Sequence, residues 1–194
     1  MALPVTASMR HFRLDALPRE PWKNGGGWTR TVASRTAGGQ LSWRVSVADI
    51  DAAGPFSRFE GMDRSAVMLR GGHLALQGDA GGRTFEGPGS QAHFPGELAL
   101  HCGAPAQPAQ LWNVMVRRGH VRSVVRLLRE ERIELPAVPD VLVLVLQGRF
   151  VLQGAGAGGG ALSPGEGLHR QGDHPVSRLM AVAPGSLLLL TELR

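Results

Sequence analysis

A strand, a Gly pair or single Gly, a second strand and a Pro-Gly-Glu turn recur in this chain, and that repeat limits the available folds more than any other feature. The first copy runs Leu69-Arg70-Gly71-Gly72-His73-Leu74-Ala75-Leu76-Gln77-Gly78 and reaches Phe94-Pro95-Gly96-Glu97 past a Gly-rich tip. The second runs Leu146-Gln147-Gly148-Arg149-Phe150-Val151-Leu152-Gln153-Gly154 and reaches Ser163-Pro164-Gly165-Glu166 past another. A repeat of about 70 to 77 residues is too long for a solenoid unit and suits a duplicated β-domain. A third Pro-Gly turn, Pro184-Gly185, leads into Leu187 to Leu190. The 27 Gly and 13 Pro among 194 residues agree, since they disfavour a helical bundle and favour short strands joined by turns. The chain is expected to be all-β, with two similar halves that each roll into a small barrel or sandwich.

Composition narrows the class further. Hydrophobic residues form 43% of the chain, enough for a core and too many for a disordered tail. The longest aliphatic run, Val141 to Leu146, is far short of the ~20 residues of a membrane span. The stretch MALPVTASMRHFRLDALP has no apolar segment of the secretory kind. Cys102 is the only cysteine, which excludes an internal disulfide and fits a reducing compartment. A soluble cytoplasmic protein with no membrane partner is therefore expected. The net charge of +5 comes almost wholly from Arg, and no Tyr buffers the alkaline range, so a high isoelectric point says little about nucleic acid. Six Arg fall between Arg117 and Arg132, with Glu130, Glu131 and Glu134 beside them. This reads as a solvated face, with no nucleic-acid partner.

Period-two alternation locates strands elsewhere. In Leu41 to Ala48, Leu41, Trp43, Val45 and Val47 share one face while Ser42, Arg44 and Ser46 share the other. Around Asn113, the residues Trp112, Val114 and Val116 point one way and Leu111, Asn113 and Met115 the other. The Val-rich stretch from Val121 to Arg132 carries some helical spacing but reads as a strand in this context. Gly154 to Gly160 reads as a hairpin tip; neither it nor Gly25-Gly26-Gly27 has the pattern of a nucleotide loop.

One segment stands out chemically. Lys23 is the only Lys, and Asn24 and Asn113 are the only Asn. Pro21-Trp22-Lys23-Asn24-Gly25-Gly26-Gly27-Trp28-Thr29-Arg30 combines an ammonium, an amide, two indoles and a guanidinium around a backbone free to approach closely. That set suits a small anion held against a flat apolar wall; a structural turn capped by Trp packing is the competing reading. Arg44, among Ser42 and Ser46, can fork onto a carboxylate. Arg44 and Arg64 could equally sit on an outer face or pair with Asp49 or Asp63. Asn113, flanked by Trp112, Val114 and Met115, must find partners if buried, in a ligand or in strand backbone.

Several of these motifs occur together in one known family. Trp22-Lys23-Asn24-Gly25-Gly26-Gly27, Ser42-Trp43-Arg44-Val45-Ser46 and Asp51-Ala52-Ala53-Gly54-Pro55-Phe56-Ser57-Arg58-Phe59 resemble the HutD/Ves family. So do Gly61-Met62-Asp63-Arg64, Phe94-Pro95-Gly96 and Trp112-Asn113-Val114-Met115-Val116-Arg117-Arg118-Gly119. Beyond Gly119 the likeness is mainly one of strand pattern. The resemblance implies a bicupin, with residues 1–119 as an N-terminal cupin-like half and 120–194 as a C-terminal one, strands being shared between them. It also implies a link to bacterial histidine utilisation, where HutD is viewed as a sensing or flux-limiting component for intermediates such as urocanate or N-formylglutamate.

Metal-dependent cupins use a His-x-His pair, and none occurs here. His93 and His101 lie eight residues apart, roughly 26 Å along an extended strand, too far to hold one ion with Glu97. His169 and His174 are separated by a polar turn. No metal and no other cofactor is expected. Cys102, beside His101, reads as a buried and unreactive thiol, and Asp49 and Asp51 as turn formers before Gly54-Pro55. The expected function is metal-independent binding of a small carboxylate metabolite by Lys23, Asn24, Gly25, Trp43, Arg44, Arg64 and Asn113, with no catalytic residue. The alternative is a metal-free isomerase or hydrolase in which Lys23 polarises the substrate and Asp49 or Asp63 moves protons. A regulatory or pathway protein would be a further partner, and a homodimer is left open.

Overall fold

The computed structural model describes residues 7–22, 25–79, 81–154, 160–172 and 177–194. Among them the only helical element is the 3-10 turn Leu14–Ala16; the regular structure is otherwise strand. Two compact units form, residues 17–122 and residues 123–194 together with the segment that precedes residue 17.

The N-terminal strand thus departs from the boundary expected between 119 and 120. Ser8–Arg13 pairs antiparallel with Glu166–Gln171, placing Phe12 opposite Gly167. A Cβ on Gly167 would lie 2.4 Å from the Phe12 ring and 2.1 Å from the Val143 carbonyl oxygen. Glycine there lets the Phe12 ring and the Val143 backbone close over the strand, which ties the N-terminus to the second unit.

In the unit of residues 17–122, a six-stranded antiparallel sheet has the order Glu20–Pro21, Gly27–Ala37, Gln40–Ile50, Ala109–Arg117, Met62–Arg70, Gln91–Pro95. A four-stranded sheet has the order Gly54–Pro55, His101–Cys102, His73–Gln77, Arg83–Glu86. Alternation decides what each face carries. Ala48, Ile50, Ala66, Met68, Leu111 and Phe94 enter one apolar core with Leu74, Leu76 and Phe85 of the smaller sheet. Trp43, Val45 and Val47 are buried on the opposite face of their strand.

The other unit repeats the two-sheet plan. Its five-stranded sheet has the order Ser8–Arg13, Glu166–Gln171, Asp140–Gln147, Leu187–Leu193, Ser123–Leu128, so the Val-rich stretch is a strand. Arg132–Glu134, Ser177–Ala181, Phe150–Gly154 and Ala161–Leu162 form its four-stranded sheet. Val141, Val143, Val145, Leu188, Leu190 and Phe150 fill its core.

The first Pro-Gly-Glu turn is held by ions as well as backbone. Gly96 N donates to the Met62 carbonyl at 2.7 Å, and Phe59 N donates to the Gly96 carbonyl at 2.8 Å. Arg118 grips Glu97 through Nη1 and Nη2 (2.8 and 2.9 Å) and Asp63 through Nε (2.8 Å). The Arg118 hydrogen bonds hold the Glu97 carboxyl down to about 2. Because the folded value lies below the unfolded one, this clamp's contribution is complete above pH ~4.5 and fades as pH falls toward 2. An NMR titration of the Glu97 side-chain carboxyl is expected to place its midpoint well below that of an ordinary Glu; a midpoint near 4 would mean that the fork does not form in solution.

Candidate functional site

Within residues 17–122 a cleft opens between the six-stranded sheet and the segment around Phe56. Its narrow inner end, about 40 Å³, is lined by Arg44, Ser46, Arg64, Asn113 and Met115 together with Trp22 and Phe56. A wider vestibule of about 490 Å³ adds Glu20, Pro21 and Pro55, and shares Trp22, Thr29, Arg44, Phe56, Ser57 and Phe59 with the inner end. The inner end has room for a carboxylate-sized group, and the vestibule for the body of a small metabolite.

Strand parity explains the lining. Arg44, Ser46 and Ala48 alternate on one face of Gln40–Ile50, and Asn113 and Met115 fall on the same side of the neighbouring strand. Arg64 projects from Met62–Arg70, across which Asn113 pairs with Ala66 and Met115 with Arg64. The remaining wall is aromatic. Trp22 and Phe56 meet edge to face at 6.1 Å, and the Trp22 indole N–H donates to Thr29 Oγ1 at 2.8 Å.

Arg64 is the unusual group. Its residue is only 6% exposed, yet no carboxylate among the described residues pairs with it. Nε donates to Asn113 Oδ1 at 3.1 Å, and Nη1 lies 3.5 Å from the Ser57 carbonyl, the outer limit of a hydrogen bond. Its Cζ stands 4.3 Å from the centroid of Phe56, 5.7 Å from Phe94 and 5.9 Å from Phe59. Ring faces partly compensate the charge, and none of them replaces an anion. Burial first, and then the charge of Arg44, pull the guanidinium down to about 9. Asn113 is 1% exposed and also donates through Nδ2 to the Leu111 carbonyl at 3.2 Å, so its amide is oriented with Oδ1 toward Arg64. Arg44 Nη2 donates to Thr31 Oγ1 at 2.8 Å, while its buried Nε has no partner. Two cations and an amide thus converge on one narrow space.

The sequence-derived site divides accordingly. Arg44, Arg64 and Asn113 come together in the cleft. Lys23 and Asn24 lie outside the described residues. Gly25 does not line the cleft; it is exposed in the hairpin between Trp22 and Gly27, with φ +71° and its N–H on the Trp22 carbonyl. Trp43 does not line it either, because it alternates with Arg44 and so faces the other side, where Arg35 Cζ lies 5.8 Å from its ring. Trp22 supplies the indole wall. Ser46, Thr29, Phe56 and Phe59 were not singled out as site residues. The parity of Ser46 with Arg44 is a usable signal, whereas Phe56 and Phe59 lie in an irregular stretch after Gly54-Pro55 where no alternation marks a face.

The carboxylates considered for acid–base work are engaged elsewhere. Asp49 is a buried strand residue, not a turn former. It accepts from Arg19 Nη2 (3.1 Å), Arg30 Nη2 (3.0 Å) and Gln110 Nε2 (2.7 Å). A Cβ on Gly27 would come within 2.1 Å of the Asp49 carbonyl oxygen, so the Gly-rich hairpin packs directly on this residue's backbone. Asp63 is taken by Arg118. Burial pushes the Cys102 thiol up, away from reactivity.

The inner end presents guanidinium, amide and hydroxyl groups and, among the described residues, no imidazole or carboxylate. That set does not fit the divalent ion found in metal-dependent cupins. His93 bonds Ser65 Oγ at 2.9 Å on the surface, and no group of three His, Cys, Asp or Glu among the described residues could hold an ion. In the long Arg stretch, Arg126 pairs with Glu192 and Arg132 with Glu134. Among the described residues no helix is long and apolar enough to cross a membrane.

The matching positions of the other unit are apolar. With Leu69 aligned on Leu146, Arg64 corresponds to Val141 and Ala66 to Val143. Asn113 pairs with Ala66 as Leu190 pairs with Val143, so Asn113 corresponds to Leu190. Val141 and Leu190 are fully buried.

Comparisons with known proteins give the family and the fold. The HutD family model matches residues 14–189. An uncharacterized 21.2 kDa protein in the hutC 3' region of Pseudomonas putida is 34% identical over 98 residues, 50% of this chain and 52% of that protein. Protein Ves of Escherichia fergusonii is 31% identical over 122 residues, 61% of this chain and 63% of that protein. The chain therefore spans about half to just under two thirds of these relatives. Among solved structures, a conserved protein of unknown function from Pseudomonas aeruginosa PAO1 has a TM-score of 0.83 at 26% identity, over 96% of this chain and 98% of that one. HutD from Pseudomonas fluorescens SBW25, in a formate condition, gives 0.80 at 22% identity with the same coverage. A cupin 2 conserved barrel domain protein from Leptotrichia buccalis gives 0.64 at 12% over 95% and 96%, which places the fold among the cupins. The family model and the fold both extend across nearly the whole chain, and the protein belongs to the HutD family.

Proposed function

We propose that the cleft binds a small carboxylate metabolite of the urocanate or N-formylglutamate class without a metal ion, and that this binding regulates histidine utilisation in the cytoplasm through a pathway protein. The observation that carries this reading is Arg64, a guanidinium on a residue only 6% exposed with no carboxylate partner among the described residues. A buried cation is costly until an anion reaches it. A ligand carboxylate at the inner end would accept from Arg64 and neutralise its repulsion with Arg44. Asn113 would hold the guanidinium in place, while Trp22 and Phe56 would cover the ligand's apolar body. Charged hydrogen bonds of this kind are each worth about 1.5–3 kcal/mol. The HutD family's link to histidine utilisation supplies the metabolite class. Lys23 follows Trp22 directly in the sequence, and in this reading its ammonium adds to the same field.

The test is calorimetric titration with urocanate, N-formylglutamate and formate, with a chelator present. Saturable binding is expected for at least one of them, unchanged by chelator and weakened about tenfold in Lys23→Ala. Binding that chelator abolishes, or no heat with any of the three, would remove the reading. A Lys23→Ala protein with full affinity would take Lys23 out of the site and leave Arg64 as its anchor.

A further inference from the structure

The cleft is polarised along its length. Arg64 stands at its inner end, Arg44 lines both parts, and Glu20 stands at its mouth as the only carboxylate among the described lining residues. Glu20 belongs to the two-residue strand Glu20–Pro21, which pairs with Thr29 and Trp28, so the backbone that carries it is fixed. Its side chain is 65% exposed, and its carboxylate oxygen lies 4.0 Å from Arg44 Nη2. That separation exceeds a hydrogen bond, and Arg44 Nη2 is already donating to Thr31. Glu20 is thus in a loose ion pair with Arg44 without a hydrogen bond, and its exposed carboxylate still faces whatever enters the vestibule.

Building on the carboxylate reading above, and narrowing it to acids with a basic nitrogen and so away from N-formylglutamate, we propose that Glu20 selects a bipolar ligand, one with a carboxylate at the inner end and a protonated nitrogen at the mouth. A plain carboxylate approaching the vestibule meets Glu20 before it meets Arg64, and the first encounter is repulsive. A molecule that also carries a cation is attracted at both ends, and its flat body lies along Trp22 and Phe56. Glu20 is thus a specificity-determining residue, which discriminates by opposing the wrong ligand as well as by holding the right one. Its exposure limits the effect to a modest factor, since a screened surface charge acts weakly.

Two isosteric probes separate these contributions: para-(aminomethyl)benzoate, which carries an ammonium, and para-ethylbenzoate, which does not. Calorimetry at neutral pH and low salt is expected to show tighter binding of the amine by the wild-type chain, with added salt narrowing the gap. In Glu20→Gln, affinity for the amine is expected to fall about fivefold while affinity for para-ethylbenzoate rises. A Glu20→Gln protein in which both affinities move by the same factor, or in which neither moves, overturns the proposal. Arg64→Met separates the two levels of the argument. Loss of both probes in that variant keeps the carboxylate site, so an unchanged ratio in Glu20→Gln then counts against Glu20 alone. Retention of both probes by Arg64→Met, or no binding of either by the wild-type chain at millimolar concentration, overturns the carboxylate site and the selection built on it.

Discussion

With Arg64 replaced by Met, carboxylate binding is expected to fall by about a hundredfold while the folded chain keeps most of its stability. The two effects have different origins. Binding is lost because the guanidinium is the buried donor at the inner end. Stability is kept because an apolar side chain of similar length removes a buried charge that has no counter-ion among the described residues. Such replacements are neutral or stabilising by about 1–4 kcal/mol. Against that gain, Asn113 Oδ1 loses its donor, which costs about 1–3 kcal/mol when the group stays buried. Adding Asn113→Leu, the residue found at the corresponding place in the other unit, removes the stranded amide. The double variant is therefore expected to be more stable than the parent in urea. A double variant that unfolds earlier would show that Arg64 and Asn113 contribute net cohesion, and would undercut their reading as groups held for a ligand. The pH dependence carries a matching sign. The folded Arg64 value of about 9 lies well below that of a free guanidinium. Its cost to folding is thus complete below pH ~9 and is relieved as pH rises beyond it. Carboxylate binding runs the opposite way, full below pH ~9 and lost above it.

Asp49→Ala is expected to be the most damaging single change to the fold of this unit, at about 3–5 kcal/mol in urea denaturation. Asp49 is 4% exposed, and its two oxygens take donors from three different residues. Removing it leaves Arg30, whose Nε already lacks a partner, as an uncompensated and largely buried cation. Arg19 is about half exposed and recovers water, so most of the loss falls on Arg30 and Gln110. A variant within about 1 kcal/mol of the parent would mean that water enters and replaces the carboxylate. The same residue's carbonyl receives Gly27 at a distance no side chain could tolerate, so loosening this strand would also loosen the hairpin that carries Trp22.

What sequence made legible follows from how local each signal is. Period-two alternation is a local property, and it put Arg44, Ser46, Asn113 and Met115 on faces that the structure turns into the cleft. The same rule argued against Trp43 as a ligand wall, since Trp43 and Arg44 are adjacent in a strand; the attraction of an indole in a family motif outweighed it. Asp49 read as a turn former because Gly54-Pro55 follows it, yet its role is set by Arg19, Arg30 and Gln110, of which Gln110 lies 61 residues away. Nothing in a linear pattern announces such a partner. Which strands the halves share is equally non-local, since Gly167, the residue that accommodates Phe12, is far along the chain. The duplicated turns disclosed two similar halves, and the ladder registers then made them comparable residue by residue.

That comparison has a genetic consequence. Val141 and Leu190 close the interior of one copy at the places that Arg64 and Asn113 hold in the other. Missense changes at Val141 or Leu190 act on the quantity of protein in the cell, because a cavity in a packed core raises the unfolded fraction that proteases clear. Under the proposed carboxylate reading, changes at Arg64 are expected to act on ligand binding at normal quantity. A mutant collection sorted by protein abundance would therefore separate changes at Val141 and Leu190 from changes at Arg64.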